Sequence, residues 1–191
     1  MKIGFGLIVL LVLGAFMPVQ AQDTFEVGAG YAYRSFDQNL APPSFRINMN
    51  GFNVNAAYNL NSWLGVAGEI TGTYNSSNEA TNGDNSLYTF LAGPRVYPLG
   101  HHRIAPYVDA EFGGSHYSLN FPGVAGFAQR GFAWEAGGGA DIFVTRHLGV
   151  KGQAEFEQTR FYQGPNFYTP GVGNPPYQKD FVFTVGPVFR F

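Results

Sequence analysis

Cysteine is missing from all 191 residues, so neither a disulfide framework nor a thiolate metal site is available. Charge is also scarce. Asp, Glu, Lys and Arg make up 13 % of the chain, whereas a soluble domain carries roughly a quarter. The formal net charge is −2 with both signs scattered, which leaves no basic stripe for nucleic acid. Past the N-terminal segment no run approaches the ~18 consecutive apolar residues of a spanning helix. What is present is aromatic and small: 17 % Phe, Trp and Tyr, with 26 glycines. Many aromatics, little charge and no apolar run together describe a chain whose apolar residues are interleaved with polar ones.

The first residues stand apart. "MKIGFGLIVLLVLGAFMPVQAQ" has a basic start at Lys2, an apolar run from Ile3 to Met17 and Pro18 after it. Val19 and Ala21 offer small residues at the −3 and −1 positions of a cleavage site. That is the pattern of a secretory signal peptide, and no Cys follows to carry a lipid. The expected organisation is a cleaved signal over residues 1–21 and a single domain over 22–191.

Interleaving dominates that domain. The closing "FVFTVGPVFRF" (181–191) puts Phe181, Phe183, Val185, Pro187, Phe189 and Phe191 on one face. Similar alternation runs through 24–36, 50–60, 63–74, 87–99, 104–117, 131–144 and 148–161. Strict period two over ten or more residues predicts long strands, eight in all. Pro94, Pro106 and Pro187 fall inside them and are expected at bulges or near edges. The connectors alternate in length. "NS", "GHH" and "TRH" are tight, whereas "DQNLAPPS", "NSSNEATNGDNS", "SLNFPGVAGFAQR" and "YQGPNFYTPGVGNPPYQK" are long and polar or rich in Pro and Gly.

Even strand number with alternating short and long loops predicts a transmembrane antiparallel up-and-down β-barrel of eight strands in a bacterial outer membrane. Closure follows from lipid, which satisfies no free backbone group. Short turns and both termini are then expected in the periplasm. Trp63, Tyr58, Tyr74, Tyr88 and Trp134 fall where interface girdles belong. The charged residues land opposite the aromatic face, the reverse of a soluble barrel that buries apolar side chains.

"GFNVNAAYNLNSWLGVAGEITGTY", "YTFLAGPRVYP", "APYVDAEFGG", "GGGADIFVTRHLGVK" and the final "GPVFRF" resemble the OmpA-like, eight-stranded outer-membrane β-barrel proteins, nearest to stand-alone barrels of that group. The resemblance covers essentially the whole domain. It implies that the terminal Phe191, with Phe189 before it, is a signal read by the barrel-assembly machinery. Larger relatives add a peptidoglycan-binding domain, and wall anchoring is not carried over here. The resemblance gives weak support to conduction in small steps.

Face assignment gathers the candidate site inside the barrel. It comprises Glu26, Arg34, Glu69, Arg95, Asp109, Glu111, Glu135, Asp141, Lys151, Glu155, Glu157 and Arg190. Buried charges need partners. The expected pairs are Glu69 with Arg95, with Asp109 next along, Asp141 with Lys151 across the "TRH" turn, and Glu26 with Arg190 at the closing seam. Such a network points to a plugged, structural barrel in the cell envelope. The alternative is a narrow, weakly cation-preferring pore, because acids outnumber bases. A third reading comes from "SHYSLN" (115–120), where His116, Ser118 and Asn120 are similar to the catalytic stretch of outer-membrane lipid A deacylases. Leu119 intervenes before Asn120, and no outward acid is placed to orient the His. The expectation is therefore no enzyme. No cofactor is expected, and no metal at His101, His102 or His147, which lack acids at ligand spacing. Expected partners are outer-membrane lipid and lipopolysaccharide, around a monomer.

Overall fold

In the computed structural model, residues 25–38, 45–76, 84–121, 124–161 and 177–191 are described. The signal segment and most of the first, second and fourth long connectors, including Phe167 and Tyr168, lie outside these residues. The described residues form eight strands: β1 (Phe25–Gln38), β2 (Phe45–Asn59), β3 (Leu64–Asn75), β4 (Asp84–Val96), β5 (Ile104–Phe121), β6 (Val124–Phe143), β7 (Leu148–Phe161) and β8 (Gln178–Arg190). Each pairs antiparallel with its sequence neighbours, and β8 pairs with β1 to close the barrel. This is the eight-stranded, all-antiparallel β-barrel that period two predicts. No sheet edge remains to be solvated.

The pairing is staggered. Following opposed residues from Glu26 through Ala57, Ala67, Gly93, Glu111, Glu135, Glu157 and Asp180 returns to β1 near Phe36, ten residues further on. Strand tilt and this shear go together in a closed sheet. The seam needs close backbone approach. A Cβ on Gly186 would stand 2.1 Å from the Ala29 carbonyl oxygen, and one on Gly30 would stand 2.3 Å from that of Val185.

Three tight turns close one end, here called the turn end. Asn61 Oδ1 accepts from the Trp63 and Leu64 amides, both at 2.9 Å. Thr145 Oγ1 does the same for His147 and Leu148, at 3.3 and 3.0 Å. In the third turn Gly100 adopts φ 72°, which its missing side chain permits.

Outward positions carry the apolar residues, with Phe183 48 % and Phe112 53 % exposed. Inward positions carry buried charge and amide. Pro94, Pro106 and Pro187 correct the expectation of bulges: each sits in unshifted register, opposite Val66, Ala140 and Val150. The β4–β5 ladder merely skips from Ala92 to Arg95, and the β1–β8 ladder from Gly28 to Tyr31, at Pro94 and Pro187 respectively. One missing N–H opens one rung without moving the register.

Two strand boundaries also need correction. β2 begins at Phe45, and the supposed loop 118–130 is largely paired, since β5 reaches Phe121 and β6 starts at Val124. The extra residues pack. Ile47 and Met49 from β2 and Leu119 from β5 join Phe36, Leu87 and Tyr117 in an apolar cluster inside the other, loop end.

Candidate functional site in the barrel lumen

The inward side chains of eight strands converge on a narrow axis, so every charge placed there must meet another side chain. Nearest the turn end, Glu26 gathers four groups. Arg190 Nε donates to Oε1 at 3.0 Å across the seam, and Asn59 Nδ2 donates to the same oxygen at 3.3 Å. The Tyr97 hydroxyl donates to Oε2 at 3.1 Å, and His101 Nδ1 stands 3.6 Å away. Burial, reinforced by the Glu26 carboxylate, pushes the Tyr97 phenol well above its ordinary pKa, which keeps it a donor. Arg190 also lies 3.6 Å above the Phe143 ring.

One layer further in, Arg95 grips Asp109 through Nε at 2.8 Å and Nη2 at 2.6 Å, with its guanidinium 4.1 Å over the Tyr107 ring. The expected Glu69–Arg95 pair does not form. Glu69 faces Leu91 across β3 and β4, and Arg95 sits four residues nearer the turn end. Lys151 stands opposite Asp141, 3.8 Å from its carboxylate, and donates to Asn55 Oδ1 at 3.0 Å.

From Lys151 a hydrogen-bond chain crosses the lumen. Asn55 donates to Asn53 at 2.6 Å, Asn53 to Thr71 at 2.8 Å, and Thr71 to Glu69 at 2.9 Å. Gln153 donates to the second Glu69 oxygen at 2.8 Å and accepts from the Tyr107 hydroxyl at 2.8 Å. Beside this chain, one oxygen each from Glu69, Glu111 and Glu135 lie within 4.8 Å of one another.

Toward the loop end Arg34 is the clamp. It donates twice to Glu157, at 2.5 and 2.9 Å, and to Asp180 at 3.1 Å. Thr89 accepts from it at 3.4 Å, and Thr159 donates to Glu157 at 3.2 Å. The apolar cluster of Phe36, Ile47, Met49, Leu87, Tyr117 and Leu119 lies beyond.

All twelve charged residues assigned inward from the alternation are buried inside. Phe189 and Phe191 are exposed on the outer wall at the turn end, 46 % and 66 %. Asp180 was missed because its segment reads as loop; its parity with Val182 was the available signal. Tyr97, Tyr107 and Gln153 were missed because an uncharged side chain on an inward face carries no mark of its partner. His116 Nε2 stands 3.4 Å from Ser118 Oγ on the outer wall. The residues opposite His116 are Tyr88 and Arg130, so no carboxylate from either neighbouring strand orients the ring there.

Comparison with known proteins accords with this architecture. The sequence profile of the outer membrane protein beta-barrel domain matches residues 7–191. The crystal structure of Neisserial surface protein A superposes with a TM-score of 0.67 at 17 % identity, covering 87 % of this chain and 97 % of that one. Ail, the attachment invasion locus protein of Yersinia pestis, gives 0.59 at 17 %, covering 89 % and 100 %. OprG from Pseudomonas aeruginosa gives 0.52 at 14 %, covering 88 % and 95 %. No curated protein matches the sequence.

Proposed function

The chain belongs to the outer membrane protein beta-barrel domain family, a protein of the bacterial outer membrane, and from that premise we propose a non-enzymatic, structural and surface-contact role with a plugged lumen. The observation that carries this reading is the meeting of side chains across the axis at both ends. In this reading the Glu26 cluster closes the turn end, and the Arg34 clamp with the apolar cluster beyond it closes the loop end. At the β1–β8 seam a pocket lined by Ala29, Asn53, Asn55, Lys151, Thr184 and Pro187 holds about 10 Å³, about the least that admits one water.

In this reading a signal over 1–21 directs export, the tight turns and both termini face the periplasm, and the loop end faces outward. Phe189 and Phe191 serve the assembly machinery, and the barrel stands as a monomer. The charge on the outer wall supports the orientation. Arg46, Arg130, Arg160 and Lys179 are all exposed on the loop rim, on β2, β6, β7 and β8, where Asp84 is exposed as well and Asp37 stands opposite Arg46. A basic rim suits the phosphates of lipopolysaccharide in the outer leaflet.

Conductance tests the plug. Purified protein in a planar bilayer is expected to pass no discrete current steps. Stepwise currents with cation preference would overturn the plugged reading and favour the narrow pore, which the excess of inward acids would suit. Release of fatty acid from lipopolysaccharide, abolished by Ser118→Ala, would overturn the non-enzymatic reading.

A further inference from the structure

Four acids stand directly opposite one another on neighbouring strands: Glu111 on β5, Glu135 on β6, Glu157 on β7 and Asp180 on β8. Like charges so placed destabilise a sheet unless something neutralises them. Arg34 does so for Glu157 and Asp180. Nothing comparable serves the other half of the row. The nearest guanidinium nitrogen to Glu111 is Arg95 Nη2 at 3.7 Å, already engaged 2.6 Å from Asp109. Among the described residues no donor reaches either oxygen of Glu135.

A further observation is independent of that trio. Glu155 on β7 is 2 % exposed, its two oxygens also meet no donor, and it lies near enough to Glu69 and Glu111 to interact with both. Glu69 meanwhile accepts from Thr71 and Gln153, one through each oxygen. Buried carboxylates without a partner are very costly as ions. A cation from outside the chain would supply the counter-charge that the described side chains do not.

We propose that Glu69, Glu111 and Glu135, with Glu155 beside them, bind one calcium ion inside the barrel. The donor set is all oxygen, which selects a hard divalent cation over zinc or copper. The oxygens of Glu69, Glu111 and Glu135 lie within 4.8 Å of one another, close enough to share one ion. Magnesium keeps several waters and is bound through one or two carboxylates, whereas calcium accepts more protein oxygens in a flexible geometry, so a buried set of carboxylates suits calcium. These donors, on β3, β5 and β6, are distinct from the histidines whose spacing argued against a metal.

The test uses the full chain refolded in detergent, with ⁴⁵Ca²⁺ equilibrium dialysis and the temperature at which the folded band shifts on a denaturing gel. One calcium per barrel is expected, bound at least as tightly as the ~1 mM of extracellular calcium modules, with a higher shift temperature in CaCl₂ than in EGTA. Glu135→Gln should weaken binding at least tenfold and remove the calcium response, while melting no lower than the parent in EGTA. Glu111→Gln serves as the second variant, and Asp84→Asn on the outer wall should bind as the parent does. No bound calcium with equal shift temperatures in CaCl₂ and EGTA overturns the proposal. So does undiminished binding in both Glu→Gln variants.

Discussion

The central belt and the loop-end rim are built from the same strands with opposite polarity. In the belt Phe52, Val54, Phe90, Val108 and Phe183 face out, and Glu69, Glu111, Glu135 and Lys151 face in. At the rim the order reverses. Ile47, Met49, Leu87 and Leu119 are buried inside, while Arg46, Asn48, Arg130, Arg160 and Lys179 are exposed outside. The side-chain period never changes; only the solvent does. A sheet in hydrocarbon turns its apolar face outward, and the same sheet in water buries it. The inversion therefore marks the boundary between lipid and water. Polar-tipped aromatics gather there, with Tyr33 donating to Asn48 at 2.8 Å and Tyr74 bonded edge-on to Tyr88. Trp63 stands exposed at the turn end, where the second boundary falls.

The largest effect should come from the place where belt and rim meet. Arg34→Met removes the guanidinium between Glu157 and Asp180, and breaking a buried ion pair in this way costs about 3–5 kcal/mol. The urea midpoint of the gel-mobility shift would fall accordingly. Adding Glu157→Gln and Asp180→Asn should restore most of the loss, because a buried triad replaced as a whole is often neutral. If the triple variant is no more stable than Arg34→Met alone, the clamp is not what holds this layer. A smaller effect probes the outer wall. Phe183→Arg puts a charge into the hydrocarbon belt and should cost about 2–4 kcal/mol in bilayer refolding equilibria. An unchanged midpoint would mean that Phe183 does not face lipid.

How far the sequence reveals this site depends on turn length. The belt faces read directly from period two, since lipid outside and charge inside give the strongest contrast. Pairs beside tight turns read as well, because a short turn pins the register. Asp141 stands opposite Lys151 for that reason. The Glu69–Arg95 expectation failed across β3 and β4, whose long connector leaves the register free. Arg95 instead meets Asp109 across the short β4–β5 turn. The Arg34 clamp joins β1 to β7 and β8 through the ten-residue stagger, which no count along a single strand contains. The rim was misread for another reason. "FRINM" carries Ile47 and Met49 inward, so it continues the strand while breaking the polarity by which the strand was recognised.

The smallest expected effect lies on the rim itself and separates its role from that of the belt. Replacing Arg130, Arg160 and Lys179 with Ser should leave the urea midpoint within about 0.5 kcal/mol per site of the parent, since these side chains are exposed. Near an anionic surface each such charge is worth about 1 kcal/mol and is screened within a Debye length. Binding of labelled lipopolysaccharide to the refolded barrel should therefore weaken stepwise with each substitution. Raising the salt should erase the difference between parent and variant. A triple variant that binds as the parent does, at low salt, would detach the rim from the phosphates and leave its polarity explained by water alone. Weakened binding with an unchanged midpoint would show that the rim charges serve contact while the Arg34 clamp below them serves stability.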